Sequence, residues 1–266
     1  MMSCESGLAQ PQVTVSIVSH GHGLLVAELL NDLGGYSSKQ IDVILTINVE
    51  EDLPFKENDY NFPLTIVRNT EPRGFGANHN AAFSLQHGEY FCVLNPDIRF
   101  NTDPFGPLLQ IFSAADIGIA APLVRSAVGS LEDSARRLPT PLTILSKIFD
   151  RRPRPDYPIG TTPFNPDWVA GMFMLFRSET YARMSGFDER YFLYYEDVDL
   201  CARMTLAGYK IILDPQVLVT HDARRESHRN FAYFRRHVAS IVRFFLSGVF
   251  FRHMLRRAWS RKETSS

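Results

Sequence analysis

Cysteine is scarce in this sequence: Cys4, Cys92 and Cys201 are the only three. They are scattered, form no CxxC pair and are too few to staple a chain of 266 residues, so a disulfide framework is excluded and a reducing compartment is expected. The N-terminus has no basic stretch leading into an apolar run. Ser3 to Gln10 is small and polar, which predicts no secretory signal and a cytoplasmic protein. No internal repeat or low-complexity tract is present, and the glycines lack the spacing of a dinucleotide fingerprint or a phosphate loop. Neither a Rossmann dehydrogenase nor a P-loop enzyme is therefore supported.

What is present is enough apolar material, 45% of residues, to bury a substantial core in one large domain, or in one domain with an appendage. Charge is unevenly placed. Residues 224–262 hold eleven Lys or Arg against the single acid Glu226, a charge of +10, so with a whole-chain charge of −1 the remainder carries −11. Such a split points to a polyanionic surface or ligand for the tail, with membrane phospholipid and nucleic acid as the usual choices.

The β-branched run Val13 to Val18, the polar cluster Ser19 to Gly23 and the helical spacing of Leu24 to Leu33 form a β-loop-α unit. Further apolar runs at Ile41 to Asn48, Leu64 to Val67 and Tyr90 to Leu94, with a helix over Asn78 to Gln86, predict a mostly parallel sheet flanked by helices. Beyond Asp97, Pro104, Pro107, Pro122, Pro139 and Pro141 and the proline-rich stretch 151–166 predict loops. Order is expected to return with a strand over Val169 to Phe176, helices near Ser178 to Met184 and Asp197 to Ala207, and a late strand over Ile211 to Val219.

Ligands of open α/β sheets bind beyond the carboxyl ends of the strands, so polar clusters directly after strands are the first candidates. Three qualify: Ser19 to Gly23, Asn95-Pro96-Asp97, and His221-Asp222. Asp97 is placed where a carboxylate can hold a divalent ion that bridges two phosphates, although Asn-Pro-Asp is also a common turn. In the segment from Gly186 to Leu200, four aromatics (Tyr191, Phe192, Tyr194, Tyr195) precede the acids Glu196, Asp197 and Asp199. Acids in a first helical turn favour the dipole, but capping leaves the aromatics unexplained. A carboxylate at the rim of a sugar-sized apolar pocket suits a general base for a hydroxyl nucleophile.

In order and type these segments resemble the inverting family 2 glycosyltransferases of the GT-A fold, from about Val13 to about His221. The resemblance rests on Ser19-His20-Gly21-His22, on Asn69 through Gly74-Phe75-Gly76-Ala77-Asn78-His79-Asn80, and on Asn95-Pro96-Asp97. Gly171 with Met172 to Met174, the block Gly186 to Arg203, and Thr220-His221 complete it. It implies a GT-A catalytic domain over residues 11–222 and a helical extension over 223–266. Asp197, beside Glu196, would be the catalytic base. Ser19, His20, Arg73, Gly74, Gly76, Asn78, Asn95 and Asp97 would surround the nucleotide sugar, and Asp97 and His221 would hold Mn2+ or Mg2+. Asn95 stands where the family's metal motif often has its first acid.

Within the family the likeness is to bacterial rhamnosyltransferases of O-antigen and lipopolysaccharide synthesis, which implies dTDP-L-rhamnose as donor and a polyprenyl-diphosphate-linked saccharide as acceptor. Arg136 and Arg137 are candidate diphosphate contacts or plain solvated arginines. A UDP-hexose donor and a catalytically silent membrane-surface binding module remain as alternatives. In the tail, Phe231, Phe234, Val238, Ile241, Phe245 and Val249 recur at helical steps among arginines. The most apolar part, Val238 to Phe251, is 14 residues long and interrupted by Arg243 and Gly248, whereas a crossing helix needs about 20. The expectation is a basic amphipathic helix or helix pair lying on an anionic membrane surface. Nucleic acid is not expected, since no nucleic-acid-binding motif accompanies the charge.

Overall fold

The computed structural model of the chain describes residues 12–36, 41–149, 155–222 and 231–263. Cys4 and the stretch 223–230 of the basic tail lie outside these residues, as do the side chains of Phe231 and Phe234.

Strand β1 (Val13–Ser19) leads through a turn into α1 (Gly23–Tyr36), and β2 (Ile41–Ile47), β3 (Leu64–Arg68), α2 (Phe75–Phe83) and β4 (Tyr90–Leu94) follow. β1 pairs in parallel with β2 and β4, and β2 with β3. Next come β5 (Ile98–Arg99), α3 (Phe105–Ile111), β6 (Ile117–Ser126), β7 (Ala135–Arg136), α4 (Pro141–Phe149) and β8 (Trp168–Val169). The chain continues with β9 (Phe173–Arg177), α5 (Ser178–Arg183), α6 (Glu196–Leu206), β10 (Lys210–His221), α7 (Phe231–Phe245) and α8 (Gly248–Glu263). The main sheet has the order β3-β2-β1-β4-β9-β6-β10-β5, and β7 and β8 form a separate two-stranded ribbon. β9 runs antiparallel to both neighbours and β5 antiparallel to β10, so the expected mixed, mostly parallel α/β sheet is the one found.

Successive residues of a strand point to opposite faces, and β4 shows it: Tyr90, Cys92 and Leu94 enter one core while Phe91 and Val93 enter the other. Because both faces are covered, β4 reads as a continuous apolar run and β1 is buried along its length. The polar residues on β1 are paired inside: Thr14 Oγ1 donates to Asp42 (2.7 Å), and Ser16 Oγ lies 2.8 Å from His79 Nδ1. Burial pushes His79 down to about 3, so its ring is a neutral packing element between Phe75 and Phe187.

The region after Asp97 is more ordered than its prolines predict. Pro104 and Pro141 stand at helix entrances, where a missing N–H removes no helical hydrogen bond. Asp103 accepts the N–H groups of Phe105 (2.9 Å) and Gly106 (3.2 Å) at the start of α3, and Thr140 Oγ1 that of Thr143 (3.1 Å) at the start of α4. Pro122 lies within the ten-residue strand β6, which continues along β10 after its pairing with β9 has ended at Ala120. The expected single strand over 169–176 is split at Gly171 into β8 and β9. Helix α2 begins three residues earlier than expected, at Phe75, because Gly74 is the extended residue before its first turn.

The basic tail is the expected helix pair, bent by 55°. No single helix among the described residues is long and apolar enough to cross a membrane. The pair is docked on the sheet domain: Phe244 and Phe250 are buried in the second core, and Arg257 pairs with Asp167 at 2.9 Å. The division expected at residue 222 borders the stretch 223–230, outside the described residues.

Candidate active site

Two cavities open where the carboxyl ends of β1, β4 and β8 meet the start of α6. The first, of about 230 Å³, is lined by His20, Arg73, Asn78, Asn95 and Asp97, five of the eight expected nucleotide contacts, with Arg236 from α7. At His22, Pro96 and Asp97 it meets a larger recess of about 720 Å³ beside Glu51 and Pro54. Its wall is built from amides. Asn48, at the end of β2, accepts the N–H of Arg73 (2.8 Å), donates to the Arg73 carbonyl (3.0 Å) and meets His20 Nδ1 at 3.1 Å. Asn69 bridges Asn48 (2.9 Å) and Asn78 (2.7 Å). Sequence reasoning left Asn48 and the bridging role of Asn69 unassigned; an asparagine ending a buried strand was the available signal.

Three expected nucleotide contacts have other roles. Ser19 is fully buried and donates to Glu51, which also accepts the N–H groups of Gly21 (3.1 Å) and Gly23 (2.7 Å). This carboxylate therefore holds the β1 turn, and Ser19 faces it instead of the cleft. At Gly74 a Cβ would come within 2.6 Å of the Phe192 carbonyl, and at Gly76 within 2.6 Å of Phe187 Cβ. The close approach seen there is to the protein's own 187–192 segment.

Asp97 and His221 are brought together by the short antiparallel pairing of β5 with the end of β10. His221 Nε2 lies 3.0 Å from Asp97 Oδ2, and that hydrogen bond raises the histidine pKa. Asp97 Oδ1 is buried without a partner, and so is His221 Nδ1, 4.0 Å from Glu132. Among the described residues no cluster of three or more His, Cys, Asp or Glu forms a complete metal site. Two ligand residues with an orphaned carboxylate oxygen do fit a divalent ion that completes its shell with phosphate oxygens and water.

The second cavity, of about 440 Å³, is lined by Arg136, Leu138, Trp168, Tyr195, Asp197 and His237 among others. Asp197 is held by two backbone donors, Gly171 N–H to Oδ2 (3.1 Å) and Val198 N–H to Oδ1 (2.8 Å). Desolvation raises its pKa, opposed by those N–H groups and by Arg136. Glu196 is only 5% exposed and its Oε2 has no partner; burial, then Asp197, push its pKa well up. Asp199, third of the acids, is tied to Arg203 at 2.7 Å and belongs to the scaffold. Arg136 is engaged by Asp133 (2.7 Å) and lies over Trp168, and Arg137 lies over Tyr157.

The cavities share a wall. Asn95 N–H donates to the Met172 carbonyl (2.9 Å) next to the Gly171 that holds Asp197, and a Cβ on Gly171 would press on Phe75 at 3.1 Å. Tyr194 and Tyr195, before the acids, both have left-handed backbones (φ 68° and 71°), a strain of about 1–2 kcal/mol each for non-glycine residues. Such strain persists only where surroundings enforce it. Here His237 packs at a tilt against Tyr194 with ring centres 4.8 Å apart, Phe244 does the same against Tyr195 at 5.5 Å, and Ser240 Oγ donates to the Leu193 carbonyl at 2.9 Å.

The family model described as Glycosyl transferase family 2 matches residues 48–179. The chain is similar to Rhamnosyltransferase WbbL of Escherichia coli, 28% identical over 247 residues, covering 87% of this chain and 92% of that protein. It is also similar to N-acetylglucosaminyl-diphospho-decaprenol L-rhamnosyltransferase of Mycobacterium tuberculosis, 29% identical over 158 residues, 53% of this chain and 50% of that one. Among solved structures, mannosyltransferase PcManGT from Pyrobaculum calidifontis, in complex with GDP-Man and Mn2+, shares the fold with a TM-score of 0.63 at 18% identity, over 90% of this chain and 65% of that one. TarS of S. aureus in complex with UDP-GlcNAc gives 0.60 at 12% identity, over 89% and 67%. The chain therefore carries a glycosyl transferase family 2 domain and is a glycosyltransferase with the GT-A fold.

Proposed function

We propose that this enzyme transfers L-rhamnose from dTDP-L-rhamnose, with inversion, to a hydroxyl of a polyprenyl-diphosphate-linked saccharide at the cytoplasmic face of the membrane. The observation that carries the reading is the pair of cavities on either side of the Gly171–Met172 wall, one ending in Asp97 and His221, the other holding Asp197. The choice of sugar and of a lipid-linked acceptor follows the two rhamnosyltransferases that the chain is similar to.

The nucleotide sugar occupies the cleft of His20, Arg73, Asn78, Asn95 and Asp97. Asp97 and His221 would hold Mn2+ or Mg2+, which neutralises charge on the departing diphosphate. The acceptor sugar enters the second cavity, where Trp168 and Tyr195 provide apolar walls. Asp197 takes the proton of the acceptor hydroxyl as its oxygen attacks the anomeric carbon. The bond to the diphosphate breaks on the opposite side, and the sugar inverts.

Competition among dTDP-L-rhamnose, UDP-hexoses and GDP-mannose, followed by transfer to a diphosphate-linked N-acetylglucosamine with and without EDTA, tests this reading. Transfer only from the dTDP sugar, abolished by EDTA and restored by Mn2+ or Mg2+, is expected. A preferred UDP or GDP sugar would overturn the donor. Asp97→Ala and His221→Ala should each abolish the metal dependence of dTDP binding, and a variant that retains it removes that residue from the metal site.

A further inference from the structure

The tail arginines read from sequence as a lipid-facing set, but one of them, although exposed, borders the cleft. Arg236, on α7, lines the smaller recess with His20, Arg73, Asn95 and Asp97. Its guanidinium lies 4.1 Å above the centre of the Phe192 ring, and the carbonyl of that residue accepts the N–H of Phe75 (2.9 Å) at the first turn of α2. The cation is therefore seated on a platform that is part of the cleft wall. Its neighbour His237 lines the other cavity and packs against Tyr194. One turn on, Ser240 Oγ holds the Leu193 carbonyl, so α7 straddles the ridge that separates the two sites.

We infer that Arg236 is a ligand of the donor's diphosphate, making the C-terminal helix an integral part of the catalytic site. This rests on the reading of the cleft as a nucleotide-sugar site. The diphosphate of a nucleotide sugar carries two negative charges and gains a third as the nucleoside diphosphate departs, so one divalent ion that also faces the carboxylate of Asp97 leaves negative charge to be offset. Arg73, the other arginine of the recess, is exposed like Arg236 and lies 3.9 Å from the Glu189 carboxylate. Arg236, fixed over an aromatic ring, supplies a planar fork of donors, the geometry that suits phosphate oxygens. Its positive charge in the cleft also contributes, after burial and His22, to lowering the His20 pKa.

Calorimetric titration of dTDP and of dTMP, in Mg2+, into the full chain, Arg236→Ala and Arg236→Lys provides the test, with the melting midpoint of each variant recorded. The alanine variant should lose about tenfold in dTDP affinity and less than about twofold for dTMP, with the lysine variant between, because a point charge replaces the fork. A purely structural role would lower both affinities together or only the melting midpoint. If the unaltered protein prefers dTDP over dTMP and both variants keep the whole preference, the assignment to Arg236 falls while the donor cleft stands. If the unaltered protein shows no preference for the diphosphate, the donor reading itself falls and this inference with it. Should the alanine variant not fold, the lysine variant decides alone.

Discussion

The two cavities are built on opposite principles. The side proposed for the donor has a wall of neutral amides: Asn48, Asn69 and Asn78 satisfy one another and the Arg73 backbone. Asp97 also borders it, joined to His221 at 3.0 Å. The acceptor side is a semi-apolar room with two adjacent carboxyls at its floor, one cradled by backbone N–H groups and the other left with a bare oxygen. A fully satisfied amide network fixes shape, whereas desolvated acids store reactivity at the expense of stability. Substitutions on the two sides should therefore fail differently.

The largest effect is expected at Asp197. Asp197→Asn removes the proton acceptor without changing volume, so kcat should fall roughly 10²- to 10⁴-fold while dTDP affinity is retained. Transfer above a few per cent of the parent rate, measured in single turnovers with donor bound in advance, would dismiss it as the base. If Asp197 is the base, its pKa, raised by desolvation, should shift the acid limb of the parent's kcat/KM profile upward, which a pH–rate series checks.

Asn48→Ala should do the reverse. It leaves the Arg73 N–H and the Asn69 amide without their acceptor, a cost of about 1–3 kcal/mol in stability, and it loosens the donor wall. Weaker donor binding and a lower melting midpoint with an unshifted pH profile are expected. A changed acid limb would show that the two sides are not separable in this way.

Glu196→Gln sharpens the contrast with a gain. The folded-state pKa of Glu196 is raised above its unfolded value, first by burial and then by Asp197, so the stability tied to its protonation is present at low pH and lost as pH rises through the folded pKa. Glutamine removes that loss. The variant should melt higher than the parent at neutral pH, with the difference closing below about pH 4, the unperturbed glutamate value. Calorimetric scans at the two pH values check it, and an equal or lower midpoint at neutral pH would mean that Glu196 has a compensating partner when ionised.

The donor side was the more legible in sequence, because β-branched runs followed directly by polar clusters announce strand ends in a parallel sheet. Thus β1 to β4 and the placement of His20, Arg73, Asn78, Asn95 and Asp97 follow from local pattern together with the family likeness. The remainder depended on partners far along the chain. Pro122 concealed β6, whose tolerance of proline depends on where β9 stops pairing, and Asp103 and Thr140 turned apparent breaks into helix starts. Ser19 looked like a ligand contact until Glu51, 32 residues on, claimed its hydroxyl. In the tail, periodicity identifies helices but not which side docks.

The tail provides the smallest expected effect on chemistry and the clearest separation of roles within one element. The docked side of the pair is defined by Ser240, Phe244, Phe250 and His253, all buried. Val242, Leu246, Phe251 and Leu255 remain 50–73% exposed, accompanied by the exposed Arg252. These are the groups available to an anionic bilayer, in keeping with the membrane location proposed above. Truncation would also strip Phe244, Phe250 and Arg236 from the enzyme, so point changes on the outer side are the cleaner probe. Burying a leucine or phenylalanine is worth about 1.5–3 kcal/mol, and each arginine near anionic lipid about 1 kcal/mol. Replacing Leu246, Phe251 and Leu255 together by serine should release the protein from phosphatidylserine vesicles in co-sedimentation, while transfer to a water-soluble acceptor stays within about twofold. Raising the salt should loosen the unaltered protein in part, since only the arginine share is screened over a Debye length of about 8 Å. Equal sedimentation of parent and variant, or none by either, would remove the membrane role from these outer side chains.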